Sequence, residues 1–348
     1  MIRTLRTIDA HVAGQGLRLV TEGFPTPSGS TMLGTQEWMA EHADGLRASL
    51  LREPRGHEGM TGACFTVPVS AEAHAGVLFM HGDGYAGLCG HGLIGAVTIG
   101  IEKGLLFDRA ADAARERTVR VDTVCGLLSA RARLSSDGRV ESVAVTLPPA
   151  LVVAAGHALQ TGGRVLRVDI AWCGAFYAIV DAESAGLVLD ASGLPELRRA
   201  GMRIAEALSH SAVLRHPDEG VSVSLSASLD AGLDAGLDAV VFTGPPRAED
   251  AHLVSAAVFT DGAVDRSPCG SATAAVMAVL DAMGLMLGDA PFVHESLIGT
   301  RFTGRIVSRT EAGGVPAVVP EIEGSAWITG EHTFHVDERD PLSEGFRL

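Results

Sequence analysis

Two short stretches place a cysteine in matching settings: Leu88-Cys89-Gly90-His91-Gly92-Leu93-Ile94-Gly95 and Asp265-Arg266-Ser267-Pro268-Cys269-Gly270-Ser271-Ala272. In each, a Cys-Gly step opens a run almost free of charge, through residues 96–101 in the first and 273–280 in the second. A thiolate accepts a proton and a thiol donates one, so a pair of cysteines suits acid–base work on one small molecule. A helix N-terminus presents unpaired backbone N–H groups and the positive end of the helix dipole. Such a place holds a carboxylate and lowers the pKa of a cysteine. The pattern predicts two acid–base thiols at two helix starts, on opposite sides of one small anion.

Helices that are apolar on every side belong in the middle of a domain. Both runs therefore predict buried central helices, and the rest of the chain must supply what surrounds them. Residues 2–9 and 17–22 alternate as the strands of a hairpin, with Gly14-Gln15-Gly16 as its turn. Residues 31–52 read as a helix, with Trp38, Met39, Leu46, Leu50 and Leu51 spaced for a buried face and Glu53-Pro54-Arg55-Gly56 ending it. A further helix is expected at 195–208, and Gly284 suits the cap that ends the second central helix. Strand runs recur at 64–69, 76–80, 119–123, 139–147, 164–170, 177–181, 221–225, 239–243 and 256–259. Four more close the chain, at 302–308, 317–323, 325–329 and 332–336. A short Asp-Ala-Gly-Leu repeat at 229–238 reads as a mobile surface insertion.

The two cysteine motifs resemble those of the proline racemase family, which includes 4-hydroxyproline 2-epimerases and trans-3-hydroxyproline dehydratases. Other blocks carry the likeness nearly end to end: Asp9-Ala10-His11, Glu53-Pro54-Arg55-Gly56-His57, His81-Gly82-Asp83-Gly84-Tyr85, Gly174-Ala175-Phe176-Tyr177-Ala178-Ile179-Val180, Phe242-Thr243-Gly244-Pro245-Pro246 and Asp340-Pro341-Leu342-Ser343-Glu344-Gly345-Phe346. The resemblance implies an α+β fold of two similar domains, as in diaminopimelate epimerase. Each is a curved β-sheet or barrel wrapped around a central helix, with the active site in the cleft between them. The expected first domain is 1–123 with 330–348, carrying Cys89; the second is 124–329, carrying Cys269.

The resemblance also implies roles. Cys89 and Cys269 would be catalytic, and Gly90, His91, Gly270 and Ser271 would offer backbone N–H groups to the substrate carboxylate. His91 would stand beside the substrate amine and the first thiol. Asp265 would meet the ring nitrogen, although an ion pair with Arg266 or a turn cap would also account for it. Phe259 matches an aromatic that packs on the substrate ring, and is equally a core candidate. Two departures stand out. Residues 12–17 lack the acidic residue and Glu-Pro usual in the family, and Cys269-Gly270-Ser271-Ala272-Thr273 replaces a common Cys-Gly-Thr-Gly-Thr. The dehydratase branch carries threonine for the second cysteine, so Cys269 speaks for inversion. The expected activity is cofactor-independent, two-thiol epimerisation at the α-carbon of a proline-like amino acid, leaning to 4-hydroxyproline. Proline racemisation, dehydration of trans-3-hydroxyproline and non-catalytic binding of an imino acid are the alternatives.

Composition bounds the rest. At 348 residues, 47% hydrophobic and 20% charged, the chain suits an ordinary globular protein of two domains. A net charge of −15 argues against nucleic acid or an anionic membrane as partner. No apolar leader precedes Asp9, and the longest uncharged stretch, 84–101, is too rich in glycine for a membrane helix. Five irregularly spaced cysteines form no disulfide framework, so a cytoplasmic protein with reduced thiols is expected, and Cys64, Cys125 and Cys173 are assigned to packing in strand-like contexts. His11, His57, His81 and Asp83 with Cys89 match no metal spacing, so neither metal nor cofactor is expected. The expected partner is a small-molecule amino acid, with a homodimer possible.

Overall fold

A computed structural model describes residues 2–107, 115–209, 214–217, 236–286 and 290–347. The chain begins with β1 (Ile2–Val12), β2 (Gln15–Glu22), α1 (Met32–Leu51), β3 (Thr61–Thr66), β4 (Ala75–His81) and β5 (Gly84–Ala86). It continues through α2 (Gly90–Glu102), β6 (Glu116–Thr123), β7 (Gly126–Leu134) and β8 (Val140–Thr146). Then come β9 (Ala150–Thr161), β10 (Arg164–Trp172), β11 (Phe176–Asp181), α3 (Leu194–Ser209), β12 (Leu237–Gly244) and β13 (Leu253–Phe259). The last elements are α4 (Gly270–Ala282), β14 (Phe292–Ser296), β15 (Arg301–Ala312), β16 (Val315–Gly324) and β17 (Ala326–Asp337).

Two compact units result, Met1–Val145 with Gly324–Leu348, and Thr146–Glu323. The crossings fall later than 123 and earlier than 330. The reason is pairing: β7 runs back antiparallel along β6 from Thr123↔Gly126, and β17 pairs with β1 from Val12↔Ala326 onward. Both strands therefore stay with the first unit. The regions expected as strands at 325–329 and 332–336 are this one strand.

In the first unit hydrogen bonding runs β7–β6–β4–β3–β2–β1–β17. The hairpin turn is tighter than expected, only Ala13 and Gly14, with φ of 51° and 93°. Positive φ at both positions matches the twist of the flanking strands. α2 packs against β1, β2, β3, β7 and β17, and is buried from Gly90 to Ile101. Each large apolar side chain on it, such as Leu93, Ile94, Val97 and Ile99, contributes roughly 1.5–3 kcal/mol by leaving water. Its glycines each cost roughly 0.5–1 kcal/mol in helix stability, and Gly95 shows the reason they are kept. A Cβ there would lie 2.5 Å from Leu17 Cδ2, so glycine is what lets α2 lie so near β2. α1, capped by the Thr31 side chain accepting from Gly34 N, packs against β3, β4 and β5.

In the second unit the pairings β9–β10–β11–β12–β13–β14–β15–β16 return from β16 to β9, closing a barrel. α4 packs against β9, β10, β11 and β15, and α3 against β12, β13 and β9. α4 ends as expected, with Gly284 at φ 73° donating its N–H to the Asp281 carbonyl. Both units are thus sheets around a central helix. β5, β7, β9 and β14 were not read from the sequence, although β7 alternates buried and exposed along most of its length. The expected strand at 221–225 and most of the 229–238 repeat lie outside the described residues. Leu237 and Asp238, the end of that repeat, open β12 rather than a surface insertion.

Candidate active site

In the first unit Cys89 is the N-cap of α2, in extended conformation, and its side chain makes no capping bond. The first helical bond runs from Leu93 N to Cys89 O, which leaves the N–H groups of Gly90, His91 and Gly92 at the open end of the helix. The sulfur lies 3.5 Å from His91 Nδ1 and 3.7 Å from Nε2. Burial brings the His91 pKa down to about 4, so at neutral pH the imidazole is uncharged and offers one donor and one acceptor nitrogen. Gly92 has its own reason to be glycine. A Cβ would sit 2.8 Å from the Cys89 sulfur and 3.0 Å from the Phe79 ring.

In the second unit Cys269 is the N-cap of α4, with φ 59° and ψ 116°. Positive φ at a residue other than glycine is uncommon and costs on the order of 1–3 kcal/mol. A local ladder holds it: Cys269 N donates to Ser267 Oγ at 3.1 Å, and Ser267 donates to Asp265 Oδ1 from both N and Oγ at 2.8 Å. Asp265 N in turn donates to the Ala257 carbonyl of β13 at 3.0 Å. The turn-cap reading of Asp265 therefore accounts for Oδ1 alone. Oδ2 is buried without a hydrogen-bond partner among the described residues. Burial raises the Asp265 pKa to about 6, against the lowering effect of Ser267, Cys269 and Arg266, so the group is a carboxylate at neutral pH.

Ser271, in the first turn of α4, lies 3.9 Å from the Cys269 sulfur and 2.7 Å from the Tyr177 hydroxyl, which is itself 2.8 Å from Asp238 Oδ2. Thr273 Oγ1 donates to the Cys269 carbonyl at 2.8 Å and meets His294 Nδ1 at 2.8 Å. The Cys269 thiol is pushed well above its ordinary value, first by burial and then by the charges of Asp265 and Asp238, with the Ala272 N–H and the Ser271 hydroxyl pulling the other way. The helix end was expected to lower it. A helix terminus contributes typically ~0.3–1 kcal/mol, and a buried thiolate facing two carboxylates loses more than that.

Residues 7–347 match the family described as "Proline racemase". The chain belongs to the proline racemase family. A trans-3-hydroxy-L-proline dehydratase of Bacillus cereus is 39% identical, with 98% of this chain and 97% of that protein aligned. A 4-hydroxyproline 2-epimerase of Streptosporangium roseum is 37% identical over 99% of each. A hydroxyproline epimerase from Agrobacterium vitis, solved with trans-4-hydroxy-L-proline bound, superposes with a TM-score of 0.87 at 28% identity, covering 99% of this chain and 95% of that one. The family's racemases and epimerases are isomerases acting on amino acids, and the expected α+β architecture of a sheet around a central helix is the one found. No described helix is long and apolar enough to cross a membrane.

Of the residues expected at the site, Cys89, Gly90 and His91 gather at the start of α2, and Asp265, Cys269, Gly270 and Ser271 at the start of α4. Phe259 ends β13, half-buried, its N–H donating to Ala263 O. Of the other three cysteines, two differ in setting from expectation. Cys64 is in β3 with its pKa pushed up to about 12 by burial, but Cys125 and Cys173 occupy turns rather than strands. Burial raises Cys125 to about 11. Asp9 forms a buried pair with Arg18 at 2.8 Å, and Asp83 pairs with Arg347, so these motif residues serve the first unit's framework. Sequence reasoning missed Ser267, Tyr177, Asp238 and His294 as neighbours of the second thiol. Only the polar Tyr177 within the apolar run Ala175-Phe176-Tyr177-Ala178-Ile179-Val180 gave a signal, since a buried phenol needs a partner.

Proposed function

We propose that this proline racemase family member inverts the α-carbon of a proline-like amino acid, with 4-hydroxyproline as substrate, using Cys89 and Cys269 as the two acid–base groups. The observation that carries the reading is the repeated construction: each unit caps a buried central helix with a cysteine whose side chain makes no capping bond. One sulfur, as thiolate, removes the α-proton, and the electron pair left on carbon spreads into the carboxylate. The other sulfur, as thiol, returns a proton to the opposite face and becomes the thiolate. Sulfur charge is conserved, and the two exchange roles for the reverse reaction. The helix-end N–H groups of Gly90, His91, Gly270 and Ser271 supply fixed dipoles for the charge that builds on the carboxylate. The buried Oδ2 of Asp265 accepts from the ring ammonium, neutral His91 stands beside the first sulfur, and Phe259 packs on the ring. The 37% identical 4-hydroxyproline 2-epimerase supports the substrate.

The 39% identical trans-3-hydroxy-L-proline dehydratase supports a second reading. There one thiolate takes the α-proton, the carbon–oxygen bond at the neighbouring carbon breaks, the hydroxyl leaves as water, and the enamine tautomerises to a cyclic imine. A second thiol at Cys269 favours inversion over this. Incubation in D₂O with L-proline, trans-4-hydroxy-L-proline and trans-3-hydroxy-L-proline decides between them, read by proton NMR and chiral chromatography. Inverted, α-deuterated 4-hydroxyproline is the expected result. Loss of trans-3-hydroxy-L-proline to an imine would select dehydration. Binding of any of the three without α-exchange would make the protein a non-catalytic binder, the outcome that residues 12–17 and Ala272 motivate.

A further inference from the structure

Cys269 holds a backbone conformation, φ 59°, that is costly for a residue with a side chain, and the Ser267–Asp265 ladder secures only its N–H side. Its carbonyl is gripped separately. Thr273 donates to that oxygen twice, from N and from Oγ1, each at 2.8 Å. The other helix start lacks the second bond. There the fourth residue on is Leu93, which has only its N–H to give the Cys89 carbonyl, and the Cys89 backbone is extended. A carbonyl can only accept, so the Thr273 hydroxyl proton is committed to Cys269 O, with Pro268 O as its other acceptor at 3.3 Å. The hydroxyl therefore has only lone pairs left for His294 Nδ1, 2.8 Å away, and that nitrogen must carry the proton between them. Burial brings the His294 pKa down to about 3, so the ring is neutral with a single N–H. Its Nε2 is then a bare acceptor, buried without a hydrogen-bond partner among the described residues. A leucine at 294 would leave no such orphan. A buried unpaired acceptor is destabilising, so what the histidine contributes lies at Nδ1.

We propose that His294 is a positioning residue for the second thiol: from β14 it donates through Nδ1 to the Thr273 hydroxyl, which directs its own proton to the Cys269 carbonyl and so holds the strained cap of α4. The chain runs one way, imidazole to hydroxyl to carbonyl. It fixes the residue whose sulfur stands at the helix start, and it appears only at the start whose backbone is strained. All three residues belong to the second unit, on β14 and at the first turns of α4. The consequence for turnover rests on the reading of Cys269 as an acid–base group; the direction of the chain does not.

The first test is the tautomer, read in the full-length protein by long-range proton–nitrogen correlation NMR on labelled histidine, with His294 assigned from His294→Asn and Thr273→Val. A proton on Nδ1 is expected, and a proton on Nε2 overturns the proposal. The second test uses side chains that can and cannot donate. Asparagine carries its amide nitrogen at the place of Nδ1, whereas leucine has no donor. His294→Leu should speed iodoacetamide modification of Cys269, followed by mass mapping, roughly tenfold, the worth of one hydrogen bond to local opening. Cys173, buried in the same unit, should react as in the wild type. His294→Asn should restore the slow rate at Cys269. In turnover, His294→Leu and Thr273→Val should each lower kcat roughly tenfold with KM within about twofold, and the double variant should lose no more than either alone, because the two bonds act in series. The proposal is overturned by unchanged labelling in His294→Leu, by equal acceleration at Cys173, by failure of asparagine to restore, or by losses that multiply in the double variant. Absence of racemisation in the wild-type protein would sink the functional reading and leave the tautomer and the labelling to decide this one.

Discussion

The two helix starts solve one problem with different materials. At Cys89 the neighbour is a neutral imidazole two residues on, the backbone is relaxed and extended, and glycine follows at position 92 because Phe79 and the sulfur leave no room. At Cys269 the neighbours are carboxylates and hydroxyls, the backbone is held at positive φ, and alanine occupies position 272, the counterpart of Gly92. Surroundings therefore decide what a thiol at a helix end becomes. The same cap position that was expected to favour a thiolate yields, at Cys269, a thiol held strongly protonated by burial and two negative charges.

The largest expected effect tests whether both starts are needed. Cys89→Ala and Cys269→Ala should each lower the rate of inversion by about 10²–10⁴-fold, measured by polarimetry on the preferred substrate. A near wild-type rate in either variant would reduce the comparison to one working thiol.

The next test separates the two by pH. Asp265 must be ionised to accept from an ammonium, and its pKa is raised to about 6, so kcat/KM should fall as pH drops through about 6. His91, lowered to about 4, is already neutral there and adds no limb near 6. Asp265→Asn should remove that limb and cost roughly tenfold or more in kcat/KM at neutral pH. Persistence of the limb in Asp265→Asn would assign it elsewhere.

Smaller effects probe the counterpart positions. Gly92→Ala forces a methyl against the Cys89 sulfur and the Phe79 ring, and should destabilise the protein by about 1–3 kcal/mol in a denaturant titration while lowering kcat. Ala272→Gly removes a methyl that the second unit already accommodates, and should cost only about 0.5–1 kcal/mol through helix propensity. Equal penalties for the two substitutions would contradict the difference in packing drawn between the helix starts.

Local chemistry was legible in the sequence. The uncharged runs at 96–101 and 273–280 marked both central helices, because burial on all sides removes every charge. Gly284 marked a helix end because capping is done by residues adjacent in the chain. The strand-to-strand relations were not legible. β7 and β9 fell between expected elements, and the crossings between units were misplaced, because pairing depends on partners distant in sequence. The hydrogen bonds from Tyr177 to Asp238 and Ser271 form where β11, β12 and α4 meet, and no spacing along the chain encodes that meeting. The direction of the Cys269 shift has the same origin. A helix end is written in the sequence next to the cysteine, but desolvation and the charges facing it come from whatever the fold packs around it, and at Cys269 burial and two carboxylates outweigh the dipole.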